Sequence, residues 1–349
     1  MKNPVKVGLA SFGMSGLVFH APLLHTNPGF ELSAVLERTK NEAKKIYPDI
    51  KVYRTYEELL GDKNLELIIV NTPDHLHFSM AKQALAKGKH VVVEKPFTQK
   101  YADAIELAEL ADKKKLVLSV FHNRRWDGDF MTVKKVVEEK MLGRLVEYES
   151  HFDRFRSIIR KDTWKEEAHG GVGTLYNLGS HLIDQIMVLF GRPKSVYANI
   201  FTFRTNGKID DNFELLLEYP GMKVTTKASL LVREAGPRYA LHGTEGSFLK
   251  WGIDPQERKL KEGLLPIGED WGSEKEKEWG ILHTTMNAKT FKGKFETIPG
   301  NYHGYYNDIH KSIRKGINPD VTAEDAAYVI RIINSALESQ AKGKRIVLG

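Results

Sequence analysis

The chain has 349 residues, 28% of them charged and 41% hydrophobic, with a formal net charge of +7. That length suits about two domains with a sizeable core, and the balance is that of a globular protein. The absence of cysteine excludes disulfides, thiolate nucleophiles and thiolate metal sites. From the N-terminus, residues 4–10 alternate into an apolar strand. Ser11, Phe12, Gly13, Met14, Ser15 and Gly16 follow, then a helix over 17–24. A glycine turn between strand and helix lets backbone N–H groups approach a pyrophosphate at the helix N-terminus. Ser11 stands where G-x-G-x-x-G has its first glycine, while Gly13 and Gly16 keep the positions for close phosphate approach and helix–strand packing. A second strand over 30–36 ends in Glu37, at the spacing of an acid that accepts bonds from the adenosine ribose. Arg38 beside it could instead clamp a 2′-phosphate, so both NAD and NADP stay open, with a slight lean to NAD because the acid holds the ribose position.

The alternation continues with a helix over 56–60, strand 65–71, helix 78–87, strand 90–94, helix 101–114 and strand 116–121. This pattern specifies an α/β unit with a doubly wound parallel sheet, residues 1–122. Polar residues collect where strands end. Asn71, Thr72, Pro73 and His77 are expected as walls of a nucleotide cleft, and Asn123 and Arg124 follow the last strand. His75 and His77 lack a third positioned ligand, so no metal site is expected. The strand over 90–94 is a run of valines suited to burial on both faces. It ends in Glu94, Lys95 and Pro96. Proline stops the ladder and restricts Lys95 to extended angles, so the lysine amine is delivered to the carboxyl edge, where ligands bind.

Residues 123–349 change character to α+β. A helix over 130–140 precedes strand-like runs at 144–152, 195–203, 213–219, 223–231, 238–242 and 247–251, with tight turns that predict a mostly antiparallel sheet. The stretch 254–300 is rich in Lys, Glu, Gly and Pro and reads as irregular surface excursions. A helix over 322–341 closes the chain. Between them, the apolar helix 174–190 carries Asn177, His181 and Asp184 at i, i+4 and i+7. Buried polar groups left unpaired cost on the order of 1–3 kcal/mol each, so this stripe should meet bonding partners or a wet cleft. Arg154, Arg156 and Arg160 form a cluster that either binds an anionic group or is solvated.

Glu94-Lys95-Pro96 together with Gly179-Ser180-His181-Leu182-Ile183-Asp184 resembles the glucose-fructose oxidoreductase, inositol dehydrogenase and rhizopine-catabolism family, and the likeness extends over nearly the whole chain. The resemblance implies a Rossmann domain followed by an open-faced sheet domain that often forms a homodimer or homotetramer. It implies an NAD(P)-dependent oxidoreductase acting on a secondary alcohol of a sugar or cyclic polyol. Lys95 would polarise the reacting hydroxyl, His181 would exchange its proton and Asp184 would orient substrate or imidazole. Arg124, Arg154, Trp164, Asn177 and His181 would bind substrate. Asn177 stands where the family commonly has Asp, and it cannot take up a proton. Two other readings remain open: an NAD-dependent glycosidase of the same family and a non-catalytic nucleotide-sensing regulator. No run reaches the roughly 18 apolar residues of a membrane span and the first residues carry no signal pattern, so a cytoplasmic location is expected. Interleaved charges, as at Lys134, Lys135, Glu138 and Glu139, argue against nucleic-acid binding.

Overall fold

The computed structural model describes residues 3–160, 163, 166–167, 171–286 and 288–349; Trp164 of the expected substrate set lies outside the described residues. The chain forms two compact units, each drawn from several stretches. The first takes in residues up to 126 together with 255–271 and 301–328, and the second takes in 127–254, 272–300 and 329–349. The expected division at residue 122 thus differs from the observed one, chiefly because two late stretches return to the first unit.

The first unit holds one parallel sheet of β1 (Val5–Leu9), β2 (Phe30–Leu36), β3 (Lys51–Tyr53), β4 (Leu67–Val70), β5 (His90–Val93) and β6 (Leu118–Val120), in the order β3-β2-β1-β4-β5-β6. The order reverses between β1 and β4, which opens a crevice at the carboxyl ends of the strands. Strands β4 and β5 bury Leu67, Ile68, Ile69, Val70, Val91, Val92 and Val93 completely, as an all-parallel sheet covered on both faces requires. In β1, a Cβ on Gly8 would stand 2.9 Å from Leu65 Cδ1 and 3.1 Å from Leu59 Cδ1. The helix Tyr56–Gly61, which carries Leu59, can therefore sit close only over a glycine.

The helix His303–Lys315, absent from the sequence expectations, buries Tyr305, Tyr306, Ile309 and Ser312 in this unit. Tyr306 meets Phe30 edge-on at 5.4 Å and Tyr305 meets Phe121 at 5.0 Å. Arg314 adds a bidentate bond to Glu66, at 2.6 and 2.9 Å. Its buried face is made of tyrosines, so an aliphatic periodicity is missing from the sequence.

The second unit contains β7 (Leu145–His151), β8 (Ser195–Phe201), β9 (Asn212–Tyr219), β10 (Met222–Ser229), β11 (Tyr239–Gly243), β12 (Gly246–Lys250), β13 (Gly280–Met286), β14 (Lys289–Phe295) and β15 (Ile346–Val347). They form one sheet in the order β14-β13-β12-β11-β7-β10-β9-β8-β15, antiparallel except where β7 and β10 pair. The stretch 254–300, expected to be irregular, instead supplies the helix Gln256–Lys261 and the β13–β14 pair. Lys289, Lys292 and Lys294 lie on β14, the end strand, and charges on an end strand discourage further pairing. That same composition hides the strand in the sequence.

The helix Ser180–Phe190 packs Leu182, Ile183 and Ile186 at 0% exposure and is tied to the sheet by a 2.8 Å bond from the Tyr239 hydroxyl to Gln185. It is preceded by a turn of wider π geometry, Leu175–Gly179. Asp210 caps that turn: its Oδ2 accepts from Leu175 N at 2.7 Å, and its carbonyl accepts from Thr174 N at 3.0 Å. Gly173 makes the approach feasible, because its φ is +97° and a Cβ there would lie 1.8 Å from Asp210 Oδ1. The loop carrying Asp210 is itself held by Arg204, which bonds Asp211 at 3.1 Å and Glu166 at 3.1 and 2.9 Å. Among the described residues no helix is long and apolar enough to cross a membrane.

Two outcomes follow from this packing. Gly8→Val should lower the stability of the protein to urea by about 1–3 kcal/mol through overpacking against Leu59 and Leu65; an unchanged midpoint would mean that the helix Tyr56–Gly61 yields freely. Burial, with the charge of Asp211 adding to it, outweighs the bonds from backbone N–H groups and raises Asp210 from 3.8 to about 6. The folded chain therefore holds this proton more tightly than the unfolded chain does, and the stability due to it is lost as the pH rises toward and past about 6. Asp210→Asn should flatten that slope and stabilise the protein at neutral pH by on the order of 1–2 kcal/mol, part of the full shift because the group is partly exposed. Unfolding midpoints measured in acid and at neutral pH would show parallel slopes in the two proteins if Asp210 did not titrate in this way.

Candidate active site

At the end of β1 the chain turns through Ser11 to Gly16 into a helix, Gly16–His20, that continues as Ala21–His25. A Cβ on Gly16 would fall 2.5 Å from the Ser11 carbonyl and 2.9 Å from Asn71 Nδ2, so this glycine is demanded by close approach. Ser11 does not loosen the turn as a replacement for glycine would be expected to. Its Oγ accepts from Gly13 N at 3.2 Å, and its carbonyl accepts from Asn71 Nδ2 at 2.8 Å, so the side chain closes the turn on itself. Gly13 has only Ser11 Oγ within 4 Å of a built Cβ. Phe12 is buried against Tyr47, whereas Met14 is exposed. Asn71 Oδ1 is buried with no bonding partner. Open space over Gly13, an unmatched amide oxygen beside it and a helix N-terminus behind it fit a pyrophosphate and its sugar.

Glu37 is placed differently from the expectation. Both its carboxylate oxygens are bonded to the start of the helix Glu42–Ile46, Oε1 from Glu42 N at 3.0 Å and Oε2 from Ala43 N at 3.1 Å, and the residue is buried. The loop between is pinned by Arg54, whose guanidinium donates to the carbonyls of Glu37 and Lys40 at 2.7 and 2.6 Å. Arg38, Thr39 and Lys40 are exposed.

The ends of β4 and β5 are tied together by His77. Its Nδ1 lies 2.8 Å from the Pro96 carbonyl and its Nε2 lies 2.9 Å from the Thr72 carbonyl. Both partners are acceptors, so the ring must donate in whichever of the two bonds it forms. The Thr72 hydroxyl reaches the Met80 sulfur at 3.4 Å, and Pro73 leads into the short turn Asp74–Leu76. His77 thus braces the site from inside and is not an exposed wall. The Lys95-Pro96 bond is cis. Lys95 is half-buried, and its backbone N donates to Glu94 Oε2 at 3.0 Å. The other oxygen of Glu94 accepts from Ser15 Oγ at 2.5 Å and lies 3.0 Å from His20 Nε2. Burial alone would raise the Glu94 pKa, but the bond and charge of His20, the charge of Lys95 and the bond from Ser15 together hold it down at about 2. Ser15 and His20 were missed in the sequence, although both lie on the turn and helix already singled out there.

Asn123 and Arg124 begin the short turn Asn123–Trp126 and are both buried. The Arg124 guanidinium pairs with Glu257, so it serves to hold the returning stretch 255–271 within the first unit. In the second unit, His181 and Asp184 are buried at 4% and 1% exposure, while Asn177 is exposed. Asn177 lies in the π turn, and His181 and Asp184 lie on the helix that follows it. Wide turns of this kind recur at functional sites. Arg154 is partly exposed and rests over the Phe152 ring at 4.8 Å.

Comparison with known proteins agrees with this arrangement. A family model described as the NAD-binding Rossmann fold of an oxidoreductase family matches residues 5–122, and one for the C-terminal alpha/beta domain of the same family matches residues 134–348. The chain is 40% identical to scyllo-inositol 2-dehydrogenase (NADP(+)) IolW of Bacillus subtilis, covering 99% of this chain and 96% of the relative. It is also 40% identical to an uncharacterized oxidoreductase of Escherichia coli, over 97% of each. Among solved structures, a candidate oxidoreductase from Bacteroides fragilis superposes with a TM-score of 0.92 at 48% identity, over 99% of this chain and 100% of that one. An oxidoreductase from Bacillus cereus gives a TM-score of 0.91 at 34% identity, over 99% of each. With both halves of the chain matched and full-length relatives at this identity, the chain belongs to the Gfo/Idh/MocA family of oxidoreductases.

Proposed function

We propose that the protein is an NADP-dependent dehydrogenase of a cyclic polyol or sugar, of the kind represented by an inositol, acting at a secondary alcohol. The observation that carries the cofactor choice is the capture of Glu37 by the helix Glu42–Ile46. A carboxylate that accepts two backbone N–H bonds is turned from the ribose, and it no longer repels a 2′-phosphate there. Exposed Arg38 and Lys40 beside it supply positive charge. This geometry supports NADP over the slight lean to NAD drawn from the sequence, and the NADP-linked relative from Bacillus subtilis supports the same direction.

Oxidation of a secondary alcohol to a ketone removes one hydride from carbon and one proton from oxygen. The nicotinamide, when bound, accepts the hydride. The Lys95 ammonium stabilises the negative charge that develops on the alcohol oxygen. His181 takes the hydroxyl proton, a role suited to an imidazole because its unperturbed pKa of about 6.5 lets it hold or release a proton near neutrality. Asp184, one turn along the same helix, orients the imidazole, and Asn177 and Arg154 contact hydroxyl groups of the substrate. The protein is further proposed to act as a homo-oligomer assembled through the sheet of the second unit, a point that sedimentation velocity would decide.

Two experiments test the reading. Nicotinamide reduction followed by absorbance with NAD or NADP and a panel of inositols, hexoses and sugar acids should give turnover that Lys95→Ala and His181→Ala each lower by about 100-fold or more. Turnover that survives both changes would remove these residues from the chemistry, and cofactor binding without any turnover would favour a regulatory protein. Arg38→Ala should raise the KM for NADP by about tenfold, the worth of one charged phosphate contact, and leave that for NAD nearly unchanged. Equal effects on the two cofactors would defeat the 2′-phosphate assignment.

A further inference from the structure

We infer that His20 is a positioning residue for the reaction: buried behind the dinucleotide turn, it clamps the Glu94 carboxylate that in turn holds the peptide of Lys95. The inference rests on the proposed role of Lys95. His20 is at 0% exposure. Its Nε2 lies 3.0 Å from Glu94 Oε1 and its Nδ1 lies 2.6 Å from the Tyr306 hydroxyl. With Nε2–H donating to the carboxylate and Nδ1 bonded to the phenol, the two bonds fix the ring between them. Phe121 packs on the imidazole at 4.4 Å. The helix after the glycine turn, the lysine strand and the distant helix His303–Lys315 therefore meet at His20.

The clamp acts on Lys95 through two short steps. Glu94 Oε1 is held by His20 and Ser15, which leaves Oε2 aimed at the Lys95 backbone N, 3.0 Å away. That bond orients the peptide from which the lysine side chain departs. The groups that face Glu94 are His20 and Ser15 from the turn and helix, Lys95 from its own strand, and the phenols of Tyr305 and Tyr306. Only His20, Ser15 and Lys95 favour its ionised form, and burial opposes it. Without His20 the buried carboxylate takes up a proton at higher pH, and the protonated group no longer holds the Lys95 peptide in the same way. His20 touches neither substrate nor reacting atom in this assignment.

The test compares wild type with His20→Ala, His20→Gln and Tyr306→Phe. His20→Ala should lower kcat by about tenfold or more while changing KM for the polyol by less than about threefold, since a mispositioned lysine weakens transition-state contact more than substrate binding. The acid limb of its kcat profile should move to higher pH. His20→Gln, whose amide N–H can still reach Glu94, should recover most of the rate, and Tyr306→Phe should shift the limb in the same direction by less. If His20→Ala fails to fold by circular dichroism, His20→Gln and Tyr306→Phe carry the comparison. A profile and kcat equal to wild type in the folded variants would overturn the inference.

Should wild type itself turn over no polyol with either cofactor, the proposed function fails and the clamp is decided on the protein without cofactor. A carboxylate held at about 2 stabilises the fold above its ordinary 4.5 and loses that contribution as the pH falls. The unfolding curves of wild type and His20→Gln should lie together at neutral pH, and that of His20→Ala should fall below them and converge in acid. A constant gap across the range would mean that His20 only packs, and would overturn the clamp.

Discussion

Every strand of a parallel sheet ends with backbone groups that the ladder no longer pairs, and in this protein side chains at the carboxyl edge take them up. Asn71 donates to the Ser11 carbonyl, His77 bridges the carbonyls of Thr72 and Pro96, Glu94 accepts from Lys95 N, and Glu37 accepts from Glu42 N and Ala43 N. These bonds join the ends of β1, β4 and β5 into one framework. An unpaired group at such a place costs on the order of 1–3 kcal/mol, so the framework is a condition of folding as well as of binding. The residues best placed to meet a ligand are for that reason the same ones that hold the edge in shape.

This double duty decides what is left for the nucleotide. The space over Gly13 and the Oδ1 of Asn71 remain open, whereas the carboxylates of Glu37 and Glu94 are already bonded inside the protein. Negative charge is thereby withdrawn from both ends of the proposed dinucleotide path. Arg38 and Lys40 at one end are exposed and Lys95 at the other is half-buried, and positive charge so placed suits a ligand carrying several phosphates.

The parallel sheet was legible because its strands alternate with helices and its central strands are unbroken aliphatic runs. Glu94, Lys95, His181 and Asp184 stood out because strand-end and buried-helix positions seldom hold such groups. What stayed hidden follows from the kind of signal. The role of Glu37 depends on a helix of five residues, Glu42–Ile46, too short for periodicity to reveal. The turn that carries Asn177 has π geometry, which a 3.6-residue period does not anticipate. The strand β14 was masked by its lysines, and the helix His303–Lys315 by its tyrosine face. Long-range partners such as Tyr306 for His20 leave no local trace at all.

The tyrosine helix also bears on how the molecule comes to be made. A chain leaves the ribosome from its N-terminus, and a domain written in one stretch can close as soon as that stretch is out. Here the first unit waits for residues 301–328, so the side of β2 and β6 that Tyr305 and Tyr306 cover stays open until that stretch has been made. Phe30 and Phe121 are exposed to water in the interval, and an early stop before residue 301 leaves a nucleotide domain with a greasy flank and no partner for His20. A nascent chain of this design offers an apolar surface to a chaperone until the helix His303–Lys315 is made.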